Sequence, residues 1–240
     1  MMHGQGTTRL KFLGRGAGFL PSEGNTSAYL KHGTILYLFD CGETVFSKLL
    51  EKNILDGVTE IHVFITHLHS DHIGSLGTLL LYCQFKLTIK MSVYSYSDNL
   101  DTILRSQEIT NYTFINLKDH RQYEYLIVNN DFSILYNLTY HAGVLAVSYT
   151  FYHNGDIVFY SGDTALRSNS WINILLYQEQ ACAFYIDTAL DGSPEAHVSI
   201  HQLAEYFPEE ERHKVWCMHL DNLDVIEICK VYGFNVVEVD

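Results

Sequence analysis

Proline is scarce in this 240-residue chain, with three residues in all, and no run of Pro, Gly or Ser is long enough to serve as a linker. One continuous domain, 1–240, is therefore expected. Basic residues are short as well: 15 Lys and Arg stand against 28 Asp and Glu, a formal net charge of −13. Such a chain repels polyanions at long range, which argues against non-specific duplex binding. Lys11, Arg15, Lys86, Lys90, Lys118 and Arg121 are scattered and read as solvated surface. Nowhere do about 18 apolar residues run together, and "MMHGQGTTRL" has no apolar signal core. Neither a membrane span nor a secretory leader is read. The cysteines (Cys41, Cys83, Cys182, Cys217 and Cys229) are odd in number, widely spaced and form no CxxC. They read as reduced thiols, and the expected location is the cytoplasm.

What the chain has in quantity is strand-forming residues, with 17 Tyr and 13 Phe. "RLKFLG" (9–14) reads as a strand, and 27–40 as a hairpin turning at His32-Gly33. Helical spacing runs over 43–55, "EIHVFIT" (60–66) is a strand, and "IGSLGTLLLYCQF" suits a buried helix. Hairpins follow over 122–141, turning at Asn129-Asn130, and over 144–163, turning at Asn154-Gly155. Helices over 170–178, 199–207 (with Ser199 as N-cap) and 222–233 alternate with strands over 182–188, 214–220 and 235–239. Two stacked sheets with helices outside are expected, and polar residues at strand ends would then share one rim.

That rim is unusually rich in metal-capable side chains. "ITHLHSDHIG" places His67, His69, Asp71 and His72 directly after a core strand. Other strands stop at Asp40, His141, Asp163 and His219. A two-residue step along extended chain puts His67 and His69 on one side, whereas Asp71 and His72 turn with the backbone into the next helix. Imidazole and carboxylate suit Zn²⁺, with Mn²⁺ or Fe²⁺ as alternatives.

An HxHxDH motif followed by His, Asp and His at strand ends resembles the metallo-β-lactamase superfamily, across essentially the whole chain from "LKFLG" to "CMHLD". The resemblance implies an α/β fold, a four-layer αβ/βα sandwich of two mixed β-sheets with helices on both outer faces. It also implies two divalent metal ions. His67, His69 and His141 would hold the first; Asp71, His72 and His219 would hold the second, with Asp163 bridging. Asp40 would orient the histidine loop by hydrogen bonds.

Within the superfamily the chain is similar to the ribonuclease Z-type phosphodiesterase branch. It keeps His69 where the oxygen-reducing branch carries an acid, and "YHAGVLAVSYTF" lacks the HTPGH-like turn of thioesterases and lactonases. "EAHVS" supplies His197, 22 residues before His219, where that branch has a histidine that contacts or protonates the scissile group. Asp187 in "YIDTAL" falls where an acid orients it, and "FLGRGAG" opens like FLGTGSG. The implied catalytic residues are Asp71, His197 and Asp187, with a metal-bridging hydroxide attacking phosphorus.

One departure matters. Only 22 residues separate His141 from Asp163, so the long tRNA-gripping arm of the bacterial enzymes is absent from that interval. A small-molecule or nucleotide phosphodiester is therefore expected in place of tRNA, with a homodimer as the expected assembly. The alternatives are a lactone, thioester or other carboxyl-ester hydrolase, or a non-catalytic, metal-stabilised nucleotide-binding protein. His197 could instead cap the helix near Ser199. His201 reads as an ordinary helix face and Cys217 as a buried inert thiol, while His3, His32, His62, His120, His153 and His213 have no partner motif.

Overall fold

The short strand Ile35–Phe39 shows how the layers arise. Leu36 and Leu38 join one apolar cluster, Tyr37 and Phe39 another, the two-residue period of a strand buried on both faces. The computed structural model describes residues 7–122, 124–166, 170–193 and 195–240. In it, a first sheet has the order β1 (Lys11–Gly14), β2 (Ser27–His32), β3 (Ile35–Phe39), β4 (Glu60–Ile65), β5 (Lys90–Ser95), β6 (Thr113–Asn116). It is antiparallel as far as β3 and parallel beyond. The second sheet runs from β7 (Leu126–Asn129) through β8 (Phe132–His141), β9 (Val144–His153), β10 (Asp156–Tyr160), β11 (Ala183–Asp187) and β12 (Val215–Met218) to β13 (Asn235–Val236). It is antiparallel to β10 and parallel from there.

Helices cover the outer faces. Apolar residues of α1 (Val45–Glu51), α3 (Leu76–Tyr82) and α4 (Asn99–Ser106) pack on the first sheet. The short α2 (Ser70–Ile73) lies in the loop after β4. Those of α5 (Ser170–Tyr177), α6 (Ile200–Tyr206) and α7 (Asp224–Tyr232) pack on the second. Between the sheets lies an aromatic layer. Tyr37 stacks on Phe132 with centroids 4.0 Å apart, and Phe39 meets Phe64, Tyr149, Phe151 and Tyr160. This is the expected αβ/βα metallo-β-lactamase sandwich. No helix among the described residues is long and apolar enough to cross a membrane.

Several local expectations shift. The expected buried helix after the histidines is broken into α2 and α3, then a wide turn over Cys83–Leu87. The first hairpin turns at Gly33-Thr34, one residue late, because Gly33 takes the positive φ (+58°) and His32 stays paired with Ile35. The 122–141 hairpin likewise turns at Asn130-Asp131, and its residue 123, like His3, lies outside the described residues. Asn154 and Gly155 both have positive φ, as their two-residue turn requires. The elements β5, α4 and β6 were not legible, since "KMSVYS" and "TFIN" carry no clear alternation.

Strand direction is what positions the site. β8 and β10 both run antiparallel to β9, so β8 ends at the same rim as the parallel strands β10, β11 and β12. The carboxyl ends of β3 and β4 reach this rim from the other sheet.

Candidate metal centre

Asp40 follows β3, His67 and His69 follow β4, and His141 ends β8; Asp163 follows β10, Asp187 ends β11, and His219 follows β12. Asp71 and His72 ride on the first turn of α2, which begins just after the extended His69. Turning the chain there is what lets one six-residue motif contribute to two groups of metal-capable side chains. The close approach needs a glycine: a Cβ on Gly42 would overlap the Asp71 carbonyl. Gly162 is equally constrained, with φ +57° and Thr66 within 2.8 Å of where its Cβ would stand.

The groups gather in two sets, His67, His69, His141 and Asp163, and Asp71, His72, Asp163 and His219, with the ligand-type atoms of each within 4.8 Å of one another. Asp163 belongs to both and divides its oxygens. Oδ2 lies 3.8 Å from His67 Nε2 and 3.7 Å from His141 Nε2, while Oδ1 lies 3.3 Å from both His72 Nε2 and His219 Nε2. His69 Nδ1 is 2.9 Å from His67 Nε2 and 3.3 Å from His141 Nε2. Asp71 Oδ2 is 3.4 Å from His72 Nε2 and 3.3 Å from His219 Nε2.

Four-coordinate zinc with bonds of about 2.0–2.2 Å has ligand-to-ligand edges of about 3.3–3.6 Å. The second set falls on that edge and the first lies close around it. A further observation points the same way. His72 Nε2 and Asp163 Oδ1 are buried and make no hydrogen bond, although they face each other. Buried polar atoms are seldom left so, and an ion between them would satisfy both. The donor set and its spacing fit divalent metal.

The outer atoms of these side chains are also held. His72 Nδ1 donates to Asp40 Oδ2 (2.9 Å) and His141 Nδ1 to the Ala196 carbonyl (3.0 Å). Fully buried Asp40 accepts in turn from the Thr66 backbone N–H (2.8 Å) and from the Thr66 hydroxyl (3.0 Å). That hydroxyl oxygen lies 3.1 Å from His67 Nδ1. Asp40 therefore ties Thr66 and His72 of the histidine loop to the end of β3 by hydrogen bonds. Thr66 completes the link, a residue that sequence reasoning missed although it immediately precedes His67. Asp40 and His219 both have positive φ, +60° and +55°. Such backbone persists only where its surroundings enforce it.

His197 and Asp187 join the same rim. His197 Nδ1 donates to Asp187 Oδ2 (2.8 Å), its ring stacks on His219 with centroids 5.3 Å apart, and its side chain stays 29% exposed. Asp187 has a second task that was not foreseen: its Oδ1 lies 3.3 Å from His219 Nδ1. The helix cap is Ser199, whose side chain accepts from the Gln202 N–H in a reciprocal capping box, so His197 is not needed there. His201 is exposed and bonds Tyr232, and Cys217 points into the cluster under α5–α7.

Charge divides the two sets. Burial, with His72 adjacent, holds His67 well below the ordinary imidazole range, and burial with His141 lowers His69. Both are neutral and ready to ligate. Burial opposes charge on His72 too, but Asp163 and Asp40 win and raise it well above that range. For His219 burial is likewise outweighed, by Asp163 and the hydrogen bonds to Asp187 and Asp71, which push it up to about 10. Burial would raise Asp163, yet His219 and His72 keep it well below the usual carboxylate range. Asp71 is lowered against burial by its hydrogen bond to His219 and by the adjacent charge of His72. Asp187 raises His197 against the burial effect. Without an ion, protons on His72 and His219 balance the carboxylates.

Two outcomes follow. Thr66→Val keeps the shape but removes the hydroxyl, and metal affinity is expected to fall about 10–100-fold in chelator competition; unchanged affinity would remove Thr66 from the account. Because His219 is pushed up to about 10, with Asp163 and Asp40 raising His72 as well, Zn²⁺ must displace imidazole protons from the metal-free protein at pH 8. Zn²⁺ uptake should therefore release protons, read as heat that varies with buffer ionisation enthalpy. Buffer-independent heat would contradict the charge assignment.

Comparison with known proteins agrees with this rim. A family model described as Anti-Pycsar protein Apyc1 matches residues 8–225. The Anti-Pycsar protein Apyc1 of Bacillus phage BSP38 is 29% identical over 258 aligned positions, covering 93% of this chain and 92% of that one. Ribonuclease Z of Staphylococcus saprophyticus is 32% identical over 140 residues, 52% of this chain and 43% of that one. Two crystal structures are alike in fold. The metallo-β-lactamase fold protein YhfI from Bacillus subtilis has a TM-score of 0.72 at 18% identity, covering 96% of this chain and 95% of its own. The short form of human tRNase Z has 0.70 at 21%, covering 96% of each. The fold and the metal-capable His and Asp groups are those of a metal-dependent hydrolase. The chain is a ribonuclease Z-like member of the metallo-β-lactamase superfamily and belongs to the Anti-Pycsar protein Apyc1 family.

Proposed function

We propose that the protein is a dinuclear metal phosphodiesterase, acting on a small or nucleotide phosphodiester. The observation that carries this reading is His197. Its Nδ1 is engaged by Asp187, which leaves Nε2 as the free end of a partly exposed ring, beside His141 and His219. A histidine so held can give a proton to a leaving oxygen or hydrogen-bond a phosphoryl oxygen. Asp187 acts through it as a positioning residue. Asp71, with its carboxylate between His72 and His219 and its side chain 15% exposed, orients the attacking water or takes its proton. His67, His69, His141 and Asp163 would hold one ion, and Asp71, His72, Asp163 and His219 the other. When bound, such a pair, most simply Zn²⁺, supplies activated water and offsets charge on the phosphoryl oxygens.

Phosphodiester chemistry is favoured by the relatives that are ribonucleases by name, of which that of Staphylococcus saprophyticus matches 52% of the chain. A small substrate is favoured by the interval between His141 and Asp163. Strands β9 and β10 and their tight turns fill it, leaving no projecting segment there to grip a large RNA. The net charge of −13 offers no general substitute.

Metal-loaded protein is expected to cleave bis(p-nitrophenyl) phosphate and members of a cyclic-mononucleotide panel, but neither lactones nor thioesters. His197→Ala should lower kcat about 10²–10⁴-fold with metal content unchanged. Lactone or thioester turnover without diester cleavage would overturn the substrate class. An undiminished rate in His197→Ala would overturn the proton-donor role, and loss of metal in that variant would make His197 a ligand.

A further inference from the structure

At the opposite edge of the sandwich, two histidines from different sheets repeat a geometry already met at the rim. His32 ends β2 in the first sheet, and His153 ends β9 in the second. His32 Nδ1 and His153 Nε2 are 3.3 Å apart, with ring centroids 5.1 Å apart and planes at 79°. The rim pair His69 Nδ1 and His141 Nε2 has 3.3 Å, 5.1 Å and 70°. The atom types and the bite are the same. The sites are distinct, since the ten residues of β9 separate them by about 30 Å at ~3.4 Å per residue.

The surrounding hydrogen bonds decide where the protons sit. The Thr8 hydroxyl donates to the His153 carbonyl (3.4 Å), so its oxygen accepts from His153 Nδ1–H (3.2 Å). His153 Nε2 is then a bare lone pair. On the other ring, Asp131 Oδ2 lies 4.0 Å from His32 Nε2 and favours the proton on that nitrogen. With no ion bound, His32 Nδ1–H donates to the His153 lone pair (3.3 Å), and a divalent ion would take the place of this proton, leaving His32 protonated on the Nε2 that faces Asp131. Two ring nitrogens directed at each other at this spacing match one edge of a tetrahedron with Zn–N bonds of about 2.0–2.1 Å. A carboxylate and a hydroxyl behind the rings are the usual orienting partners of metal-bound imidazoles. The Asn154 amide, whose Nδ2 is 3.2 Å from His153 Nε2, covers that lone pair when no ion is bound. Turned over, it presents its oxygen as a further ligand.

We infer that His32 and His153 form a separate site for a divalent transition ion of the zinc type, which clips the first sheet to the second at the edge remote from the rim. Imidazole nitrogen selects Zn²⁺, Ni²⁺ or Cu²⁺ over Mg²⁺ or Ca²⁺. Water and Asn154 complete the coordination. The site bridges β2 and β9, strands that pair in different sheets, so occupancy stabilises the sandwich without entering the chemistry.

The test is Zn²⁺ stoichiometry by equilibrium dialysis of the whole protein, with thermal melting of the same samples. The His32 side chain is 44% exposed, so His32→Ala should fold. It is expected to bind one ion per chain fewer than the wild type, keep the wild-type turnover, and lose part of the Zn²⁺-dependent rise in melting temperature. Mg²⁺ should give no such difference. The comparison is by subtraction, so it holds whatever number of ions the rim takes. Equal stoichiometry in wild type and His32→Ala would overturn the site, as would equal stoichiometry in wild type and the double variant His32→Ala, Asn154→Ala. Lost turnover in His32→Ala would overturn its independence from the rim.

Discussion

The structure turns on one buried carboxylate shared by two nests of imidazole. Asp163 is nearly inaccessible and surrounded by His67, His72, His141 and His219. An isolated carboxylate in such a place would cost several kcal/mol. It is tolerable only beside positive charge, supplied by metal or, without one, by imidazolium at His72 and His219. Splitting its two oxygens between two sets also fixes how far apart two ions can sit. Every other group at the rim is arranged around that requirement.

The arrangement is rigid because the outer atoms of the ligands are tied into the sheets. Asp40 and Thr66 join the end of β3 to the end of β4. Asp187 ties His219 and His197 to the end of β11, and it accepts from the Thr164 N–H directly after Asp163. Tyr149 donates to the Ile65 carbonyl, and the Val147 N–H to that of Thr66, so the second sheet holds the histidine loop of the first. Aromatic packing between the sheets thus bears directly on the site, since a slip of one sheet over the other would open both sets. The positive φ at Asp40 and His219 is strain of the kind a packed rim can hold.

Much of this was legible in the sequence, for a physical reason. Ligands to a pair of ions must come from several strands, and each strand announces its end by a change from apolar to polar. The HxHxDH motif, His141, Asp163 and His219 could be read that way, and the structure brings all of them together. Thr66 escaped notice because a threonine ending a strand is unremarkable by itself; only its hydroxyl's position between Asp40 and His67 gives it a role. The double task of Asp187 depends on β11 lying beside β12, a pairing between residues far apart in sequence. His32 and His153 were passed over for the same reason, since 121 positions separate them. The strands β5 and β6 escaped because their apolar residues are few and their alternation is short.

The most direct measurement is anomalous diffraction from crystals of the metal-loaded protein, collected at the zinc edge. The account predicts two peaks at the rim about 3.5–4 Å apart, with Asp163 contributing one oxygen to each. A single peak, or two with Asp163 bound to neither or to only one, would contradict it.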